Sequence, residues 1–458
     1  MFTETPRPGL VREHPWAGWF AVATVCFGAF MGQLDASIVT ITFPALEQEF
    51  SAPLAAVEWV SLAYLVTLVG LVAAAGRIAD AAGRKLFYLY GFAVFTAASA
   101  ACALAPGLGW LVGFRVLQAV GAAMLQANSV ALVVTSVPRE RMRAALGVQA
   151  AAQGLGLALG PVLGGVLVST VGWRWVFWVN VPVGVVALVA GRFLLPRSRQ
   201  RNPLGRFDGR GLALLAGSST ALLLGVSVAS GLPLPGWVAA VLVVGALGGA
   251  AWFVRTERRA DSPLVDPEVL ASRAVRDGLV GALCAYLLLF APLALFPQVL
   301  GVHGAAGLVL TALPAGFAVT AVAAERLVPR TWSPRTRALV GSGGCAVAAG
   351  ALLAAPGSAG WVAPWLAVLG LSLGVYIPAN NSSVMAAVPA RMAGTGGGLV
   401  NMARGLGTAF GVAVVALALH LTPGGGGAPD LQAARVCLGA LVLAAAVAAV
   451  SSLGARRP

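Results

Sequence analysis

Charged residues are scarce in this chain. They make up 10% of its 458 residues, whereas apolar residues make up 59%, and the mean hydropathy is +0.87. A soluble domain has roughly a quarter of its residues charged, so the composition excludes that class and predicts many membrane-spanning segments. The formal net charge of +14 would indicate nucleic acid as the partner of a soluble protein. In a membrane protein basic residues set topology instead, so no nucleic-acid partner is expected.

Cysteine, histidine and lysine are also rare. The five cysteines lie singly in apolar stretches, which predicts neither a disulfide framework nor a zinc site. The three histidines are far apart and form no H-E-x-x-H motif, so a metalloprotease is not supported. Lys85 is the only lysine and belongs to no phosphate-binding loop, which excludes a pump that hydrolyses ATP itself. We therefore expect no enzyme, no metal site and no cofactor.

Long apolar stretches are abundant. Fourteen of them, numbered segments 1 to 14, are long enough to cross a hydrocarbon core of ~30 Å as helices. They lie at 17–43, 56–76, 86–105, 109–132, 144–170, 176–195, 211–231, 236–254, 278–300, 304–324, 338–356, 361–387, 396–420 and 432–453. This pattern predicts an all-α polytopic membrane protein with fourteen transmembrane helices.

The basic residues predict the orientation. With the N-terminus inside, all but four of the 30 basic residues fall in or beside the inner connections; the exceptions are Arg115, Arg174, Arg404 and Arg435. Cytoplasmic connections carry the excess of Lys and Arg, and an odd number of spans would destroy this pattern. We expect a multi-pass protein of the bacterial plasma membrane with both termini in the cytoplasm.

Connection lengths divide the chain into three parts. The two longest inner connections, 196–210 and 255–277, separate segments 7 and 8 from six segments on either side. We expect two six-helix bundles, at 1–195 and 278–458, and two inserted helices with their inner linkers at 196–277.

Asp35 is the one carboxylate deep inside an apolar segment. Most of the 16 acidic residues fall in or beside polar connections, and Glu58 lies near one end of segment 2. A charge at the centre of a spanning helix costs about 2.5–3.5 kcal/mol on insertion, so it marks a functional site by default. We therefore predict that Asp35 is a functional residue. Glu58 is a secondary candidate, and a solvated position at the helix end is its equal alternative.

Segment 4 carries a second intramembrane charge. Its polar stripe, on one helical face, consists of Arg115, Gln118, Ala122, Gln126 and Ser129. At about 1.5 Å per residue, Arg115 and Asp35 lie at comparable depths below the outer ends of their helices. We therefore expect the two charges to influence each other, with a purely structural buried pair as the alternative.

The connection between segments 2 and 3 is predicted to form an inner gate. Its glycine and charged positions are Gly76, Arg77, Asp80, Gly83, Arg84 and Lys85. Acid and base here can pair across the helix ends, and such pairs can hold one conformation closed and release it in another. Ordinary topology-determining charges are the alternative.

Segment 5 has a regular pattern of small residues. The pattern consists of Gly147, Gly156, Gly160, Pro161, Gly164 and Gly165. Glycines spaced by four form a smooth groove for a neighbouring helix, and the proline frees a backbone carbonyl and permits bending. The pattern predicts a helix contact that takes part in movement, with static close packing as the alternative.

These motifs resemble those of the major facilitator superfamily, specifically its fourteen-helix drug:proton antiporter branch of multidrug and antibiotic exporters. The matching stretches are 34–44, 76–85, 111–123, 147–165 and 173–182. Ala81 and Ala119 stand where a basic residue and a glycine are usual. The second half resembles the family less, because residues 325–337 lack the Gly and Asp of a second loop signature.

The resemblance implies two six-helix bundles that rock around a central cavity, with export coupled to inward proton flow. Asp35 would carry the proton, with Arg115 beside it and Glu58 as the secondary candidate for proton coupling. Burial disfavours an ionised carboxylate and the Arg115 guanidinium favours it, so protonation would depend on the side from which water enters. The expected partners are a small-molecule substrate, protons and membrane lipid, and the expected state is a monomer.

By the same resemblance, segments 1, 4, 9 and 12 line the cavity. The candidate lining residues are Met31, Gln118, Gln126, Tyr286, Phe290, Tyr376 and Asn380. Methionine and aromatic side chains suit an adaptable apolar ligand, although ordinary packing is the alternative for each. Because acidic residues are sparse, we expect an amphiphilic ligand, with cationic compounds included. The residues do not distinguish a multidrug exporter from an exporter of one endogenous metabolite, and a non-transporting sensor is a more distant alternative.

Overall fold

The computed structural model is helical throughout the residues that it describes. These are 6–197, 208–260, 269, 271–300, 305–327, 329, 331–388, 393–422 and 431–454. They contain no strand, so the predicted all-α class is confirmed. Apolar stretches in a membrane satisfy their backbone groups only as helices or closed barrels, and these stretches have the length that helices require.

The described residues of the first half form ten α-helices. They are α1 (Gly9–Arg12), α2 (Ala17–Ile38), α3 (Phe43–Phe50), α4 (Leu54–Val57), α5 (Trp59–Ala82), α6 (Arg84–Ala103), α7 (Leu108–Ser136), α8 (Met142–Thr170), α9 (Arg174–Trp178) and α10 (Asn180–Leu194). A 3-10 turn at Val39–Thr42 joins α2 to α3 without a break, so segment 1 extends beyond its predicted end to Phe50.

The second half forms eight described helices. They are α11 (Gly209–Ala229), α12 (Gly236–Glu257), α13 (Arg273–Leu300), α14 (Ala305–Leu327), α15 (Pro334–Ala354), α16 (Ala359–Ala387), α17 (Ala393–Leu421) and α18 (Leu431–Gly454). Within the described ranges, 13 helices are long and apolar enough to cross a membrane. The remaining predicted segment is α14, whose apolar part is the shorter stretch Val309–Thr320. Each of the fourteen predicted segments therefore coincides with a helix.

Helix contacts follow the two halves of the chain. In the first half α2 packs on α7, α8 and α10, and α6 packs on α7 and α10. In the second half α16 packs on α14 and α15, and α13 packs on α17 and α18. The two halves meet where α8 contacts α14 and where α5 contacts α17.

The two inserted helices lie at the side of this arrangement. Helices α11 and α12 pack on each other, and α11 also contacts α5 and α17. The apolar window of α12 is only 11% buried, whereas that of α13 is 78% buried. Large apolar side chains such as Trp237, Val244 and Leu247 are exposed on α12, as expected of a helix that faces lipid.

Two sets of contacts identify the ends of the molecule. At one end, Arg7 Nε donates to the Leu194 carbonyl (2.7 Å) and Lys85 Nζ to the Arg192 carbonyl (2.9 Å). We call this end, which also carries the turn at Gly83, the basic face. At the opposite face Arg174 forms an ion pair with Glu49 (2.8 Å).

Candidate functional site

The Asp35 side chain lies in a closed polar network between α2, α7 and α10. It is 0% exposed. Its Oδ2 accepts a hydrogen bond from Arg115 Nη1 at 2.6 Å, and its Oδ1 accepts from Gln118 Nε2 at 3.0 Å and from Asn180 Nδ2 at 3.2 Å. Both carboxylate oxygens therefore have donors, as a buried carboxylate requires.

Arg115 also has several contacts besides its bond to Asp35. Its Nε donates to the Val60 carbonyl at 2.8 Å and its Nη1 donates to Gln118 Oε1 at 2.5 Å. The guanidinium carbon lies 4.2 Å from the centroid of the Tyr64 ring and 5.7 Å from that of Phe177. Arginine over an aromatic face gains a cation–π attraction that grows when water is excluded. The predicted proximity of Asp35 and Arg115 is confirmed as a direct ion pair.

Gln118 completes the network. Its Nε2 also donates to Ser99 Oγ at 2.7 Å, which extends the hydrogen bonds to α6. The network thus joins five helices, α2, α5, α6, α7 and α10. Removing one partner of such a buried pair typically costs about 3–5 kcal/mol, because the other charge is then left unpaired. Protonation of Asp35 would strand Arg115 in the same way.

A cavity of about 110 Å³ lies between the two halves of the molecule, toward the basic face from the ion pair. Helices α2, α5, α7 and α8 contribute to its wall from the first half, and α13 and α17 from the second half. The polar wall residues include Gln33, Gln126, Gln149, Asn401 and Arg404. Apolar side chains such as Leu65 and Phe290 form much of the rest. This combination of apolar walls and a few polar groups is typical of a small-molecule site.

Tyr64 separates this cavity from the ion pair. It lines the cavity and its ring contacts the Arg115 guanidinium. A second, smaller void of about 10 Å³ shares Tyr64 and Phe290 with the cavity and reaches Arg115 and Ser61. A void of about 10–15 Å³ admits one water molecule, and the Ser61 hydroxyl has no hydrogen-bond partner among the described residues. The small void therefore lies between the cavity and the ion pair, with Ser61 and Arg115 on its wall.

The structure corrects the predicted cavity lining. Gln126 and Phe290 line the cavity, but Met31, Gln118, Tyr286, Tyr376 and Asn380 do not. Gln118 belongs to the Asp35 network, and Tyr286 lies beneath Arg404 at 5.5 Å. Helix α16 faces other helices instead: Asn380 Nδ2 donates to the Gly278 carbonyl at 2.8 Å, and Tyr376 Oη donates to the Ala448 carbonyl at 3.5 Å.

On α2 the residues that line the cavity lie on a different face of the helix from the predicted one. The cavity is lined by Gly28, Ala29, Gly32, Gln33 and Ala36. At about 100° per residue, this face lies roughly a quarter turn from Asp35 and further from Met31. The carboxylate therefore points toward α7 and α10 and not into the cavity, and Met31 is buried.

The predicted glycine groove of α8 receives α2, the helix that carries Asp35. A Cβ atom on Gly156 would meet the Phe30 carbonyl, and one on Gly160 would meet the Ser37 side chain. A Cβ atom on Gly164 would lie 3.0 Å from Ile38 Cγ1. Pro161 lies within the continuous helix α8, and Gly165 is buried. Gly147 is not part of the groove, because it is exposed and nothing lies within 4 Å of a Cβ placed on it.

The predicted inner gate has a different backbone from the expected loop. Gly76 to Ala82 is helical, and one residue, Gly83, forms the whole connection to α6. Gly83 has φ of 108°, which L side chains rarely adopt. A Cβ atom placed on Gly76, by contrast, would make only an ordinary contact with Ala127 at 3.9 Å. The Lys85 side chain is buried and binds the end of α10, and Arg84 is half-buried. The side chains of Arg77 and Asp80 lie outside the described part, so the gate stays a prediction.

Glu58 is not the solvated helix-end residue that was one of its two interpretations. Its side chain is 0% exposed. Its Oε1 accepts a hydrogen bond from Ser227 Oγ at 2.6 Å, and Ser227 in turn accepts from Trp59 Nε1 at 3.1 Å. Glu58 therefore joins the start of α5 to the inserted helix α11, outside the Asp35 network. Its part in proton coupling stays a prediction.

Sequence reasoning missed several residues of the site. Asn180 and Ser99 complete the network, and Tyr64 separates the network from the cavity. Asn180 carried a signal, since it is a lone amide at the start of a spanning helix. Arg404 carried a stronger signal, because a charged residue within an apolar segment indicates a functional site whether it is an arginine or an aspartate.

Fold and site together define a multi-pass helical membrane protein with a central cavity between two halves and a buried ion pair beside it. The chain belongs to the Major Facilitator Superfamily, whose family model matches residues 25–412. It is therefore a membrane transporter and not an enzyme.

Its relatives include antibiotic resistance proteins. The chain is 32% identical over 422 residues to the tetracenomycin C resistance and export protein of Streptomyces glaucescens, across 90% of this chain and 77% of that protein. It is 30% identical over 435 residues to the methylenomycin A resistance protein of Bacillus subtilis, across 90% of each. Among solved structures, the human organic anion transporter MFSD10 has a TM-score of 0.64 at 17% identity and covers 97% of this chain and 100% of that one. At this identity the likeness shows the fold alone.

Proposed function

We propose that this protein is a proton-coupled antiporter that exports a hydrophobic or amphiphilic, antibiotic-like compound. The resistance and export proteins among its relatives support the export of such a compound. The buried pair of Asp35 and Arg115 is the observation that carries the proton coupling. Of the described acidic side chains, Asp35 is the one that lies deep within a spanning helix and is joined to the wall of the cavity.

The pair provides a physical link between proton binding and conformation. While Asp35 is ionised, the two charges neutralise each other and can stay out of water. Once Asp35 binds a proton, Arg115 remains as a buried unpaired cation, which is unfavourable by several kcal/mol. A conformation that lets water reach Arg115 then becomes the favoured one. Proton binding therefore shifts the population between two conformations, as an antiporter requires.

Movement of α2 against α8 transmits that shift. The groove at Gly156, Gly160 and Gly164 brings the backbones together opposite residues 30–41. Packed surfaces of this kind have discrete arrangements and do not deform continuously. A small displacement of α2 at the ion pair is thereby passed to the rest of the first half.

The two halves rock around the cavity as two six-helix bundles, 1–195 and 278–458, with 196–277 inserted between them. The basic face is cytoplasmic and the membrane is the bacterial plasma membrane, because connections rich in arginine stay inside. Inward movement of one proton gains about 2.3 kcal/mol per 100 mV, which drives export. The protein acts as a monomer whose partners are substrate, protons and lipid.

Transport in everted membrane vesicles tests the proposal. A panel of amphiphilic compounds is offered to vesicles with wild-type protein, with and without a proton uncoupler. We expect gradient-driven accumulation that the uncoupler removes and that Asp35→Asn abolishes. Glu49→Gln is the matched control, because Glu49 also pairs with an arginine but is 39% exposed at the opposite face. Full accumulation by Asp35→Asn would contradict Asp35 as the carrier.

A further inference from the structure

We propose that the central cavity binds an anionic amphiphile and that Arg404 is the cation that recognises it. This inference rests on the proposed function, in which the cavity is the transport route. It narrows the expectation of an amphiphilic ligand, which included cationic compounds and came from the scarcity of acids in the sequence alone.

Arg404 lies near the middle of α17 and forms part of the cavity wall. It is half-buried, as is its wall neighbour Asn401, and its hydrogen-bond partner Gln33 is buried. A guanidinium at this depth is unfavourable unless it meets a counter-charge or water. Its position in the cavity allows a ligand to be that counter-charge.

The contacts of Arg404 leave hydrogen-bonding capacity unused. Its Nη2 donates to Gln33 Oε1 at 3.2 Å, and its guanidinium lies 5.5 Å from the centroid of the Tyr286 ring. None of the described acidic side chains forms an ion pair with it. Arg115 differs in having an ion pair and more hydrogen bonds, because Asp35, Gln118 and Val60 all accept from it. A guanidinium presents donors in a fork that matches a carboxylate or similar oxyanion.

The remaining described wall suits an anion and not a cation. Its polar groups are amides and hydroxyls, and no carboxylate is among them. The amides are those of Gln33, Gln126, Gln149, Gln153 and Asn401. They can hydrogen-bond to carbonyl and hydroxyl groups of a ligand, while the apolar wall accommodates its rings. A cationic ligand would meet Arg404 without any described carboxylate to offset the repulsion.

Binding at Arg404 would also change contacts between the two halves. Arg404 to Gln33 connects α17 to α2, and Gln126 Nε2 to Asn401 Oδ1 (3.5 Å) connects α7 to α17. An anion at Arg404 would compete with Gln33 Oε1 for the guanidinium donors and so weaken a contact that joins the halves. Ligand occupancy is thereby coupled to the rocking movement.

The ligand charge has an electrical consequence. Entry of a proton makes the inside more positive, and exit of a monoanion does the same. The exchange of the two is therefore electrogenic. Export of a monocation for one proton would move no net charge. A transport current that responds to membrane potential is therefore expected with anionic substrates.

Equilibrium binding of three matched probes tests the inference. The probes are naphthoate, naphthylmethanol and naphthylmethylammonium, which share one ring system and differ in charge. Their binding to the purified full-length protein in detergent is measured by fluorescence. No proton gradient is present, so the result is independent of the transport test with Asp35→Asn, and either can fail alone.

We expect naphthoate to bind more tightly than the neutral alcohol, and the ammonium compound to bind most weakly. Arg404→Gln should weaken naphthoate binding about ten- to hundredfold, the range of a charge-assisted hydrogen bond, and leave the alcohol unchanged. Arg404→Lys should retain part of the preference. Arg435→Gln is the matched control, because Arg435 lies in an apolar helix with its side chain exposed and outside the cavity wall.

Three results would overturn the inference. They are no binding of naphthoate, equal or tighter binding of the ammonium compound, or naphthoate affinity unaffected by Arg404→Gln. The thermal unfolding midpoint of each variant is measured in parallel, and Arg404→Lys distinguishes loss of charge from loss of folding.

Discussion

Arg115 and Arg404 are both arginines in the middle of spanning helices, and their surroundings are opposite. Arg115 is 1% exposed and forms an ion pair, hydrogen bonds and ring contacts. Arg404 faces the cavity, with one hydrogen bond to Gln33 and one distant ring contact. The same residue type therefore serves two purposes. A fully paired arginine reports the protonation of its partner, whereas a sparsely paired one is open to a ligand.

The largest effect on stability is expected when the paired arginine is neutralised. Arg115→Gln should lower the free energy of unfolding by about 3–5 kcal/mol, because it leaves Asp35 as a buried unpaired carboxylate. Arg404→Gln should change it by less than about 1.5 kcal/mol, since one hydrogen bond is lost and one costly charge is removed. Denaturation in detergent compares the two. Equal losses would show that the surroundings of the two arginines do not differ as the contacts suggest.

Restoring neutrality should recover much of that loss. The double variant Asp35→Asn with Arg115→Gln removes both charges, so it should unfold closer to wild type than Arg115→Gln does. It should still lack proton-coupled transport, since no carboxylate remains at the site. Unfolding and vesicle transport are measured on the same preparations. If the double variant lost as much stability as the two single variants together, a direct charge pair would be contradicted.

The contact between α2 and α8 is expected to have the next largest effect on stability and transport. Gly160→Val should block transport and destabilise the protein by at least about 1–3 kcal/mol, because its side chain would enter the space of Ser37 on α2. Gly147→Val is the control on the same helix, where a Cβ atom meets nothing within 4 Å. Transport assays with matched expression levels compare the two. Wild-type transport by Gly160→Val would reduce the groove to static packing.

The smallest effect is expected at the exposed ion pair. Glu49 and Arg174 are separated by 2.8 Å, similar to the buried pair, but their side chains are 39% and 43% exposed. Arg174→Gln should therefore cost no more than about 1 kcal/mol. Denaturation in detergent measures it beside Arg115→Gln. A loss as large as that of Arg115→Gln would show that burial is not what distinguishes the two pairs.

Those parts of the site that depend on one helix were predictable from the sequence. Asp35 and Arg115 were identified because a charge within an apolar stretch has few permissible positions. The glycines at 156, 160 and 164 were identified because their spacing forms a groove on any helix. Fourteen apolar stretches likewise predicted fourteen helices.

Those parts that depend on the rotation and neighbours of several helices were not predictable. The side of α2 that faces the cavity lies a quarter turn from Asp35, and nothing in its own sequence fixes that angle. Helix α16 carries polar residues on one stripe, yet Asn380 bonds to the backbone of α13. Arg404 was counted for topology only, and its role depends on the cavity that α2, α7 and α17 form together.

Protonation of Asp35 itself is the most direct test of the central claim. Infrared difference spectra of the protein in proteoliposomes, recorded as the pH is lowered, detect the carbonyl stretch of a protonated carboxylic acid. Asp35→Asn identifies the Asp35 contribution, and Glu58→Gln and Glu257→Gln account for the other buried carboxyl groups of the described spans. The account predicts an Asp35 band that appears over the pH range in which transport responds to the proton gradient. An Asp35 that stays ionised throughout that range would contradict its role as the proton carrier.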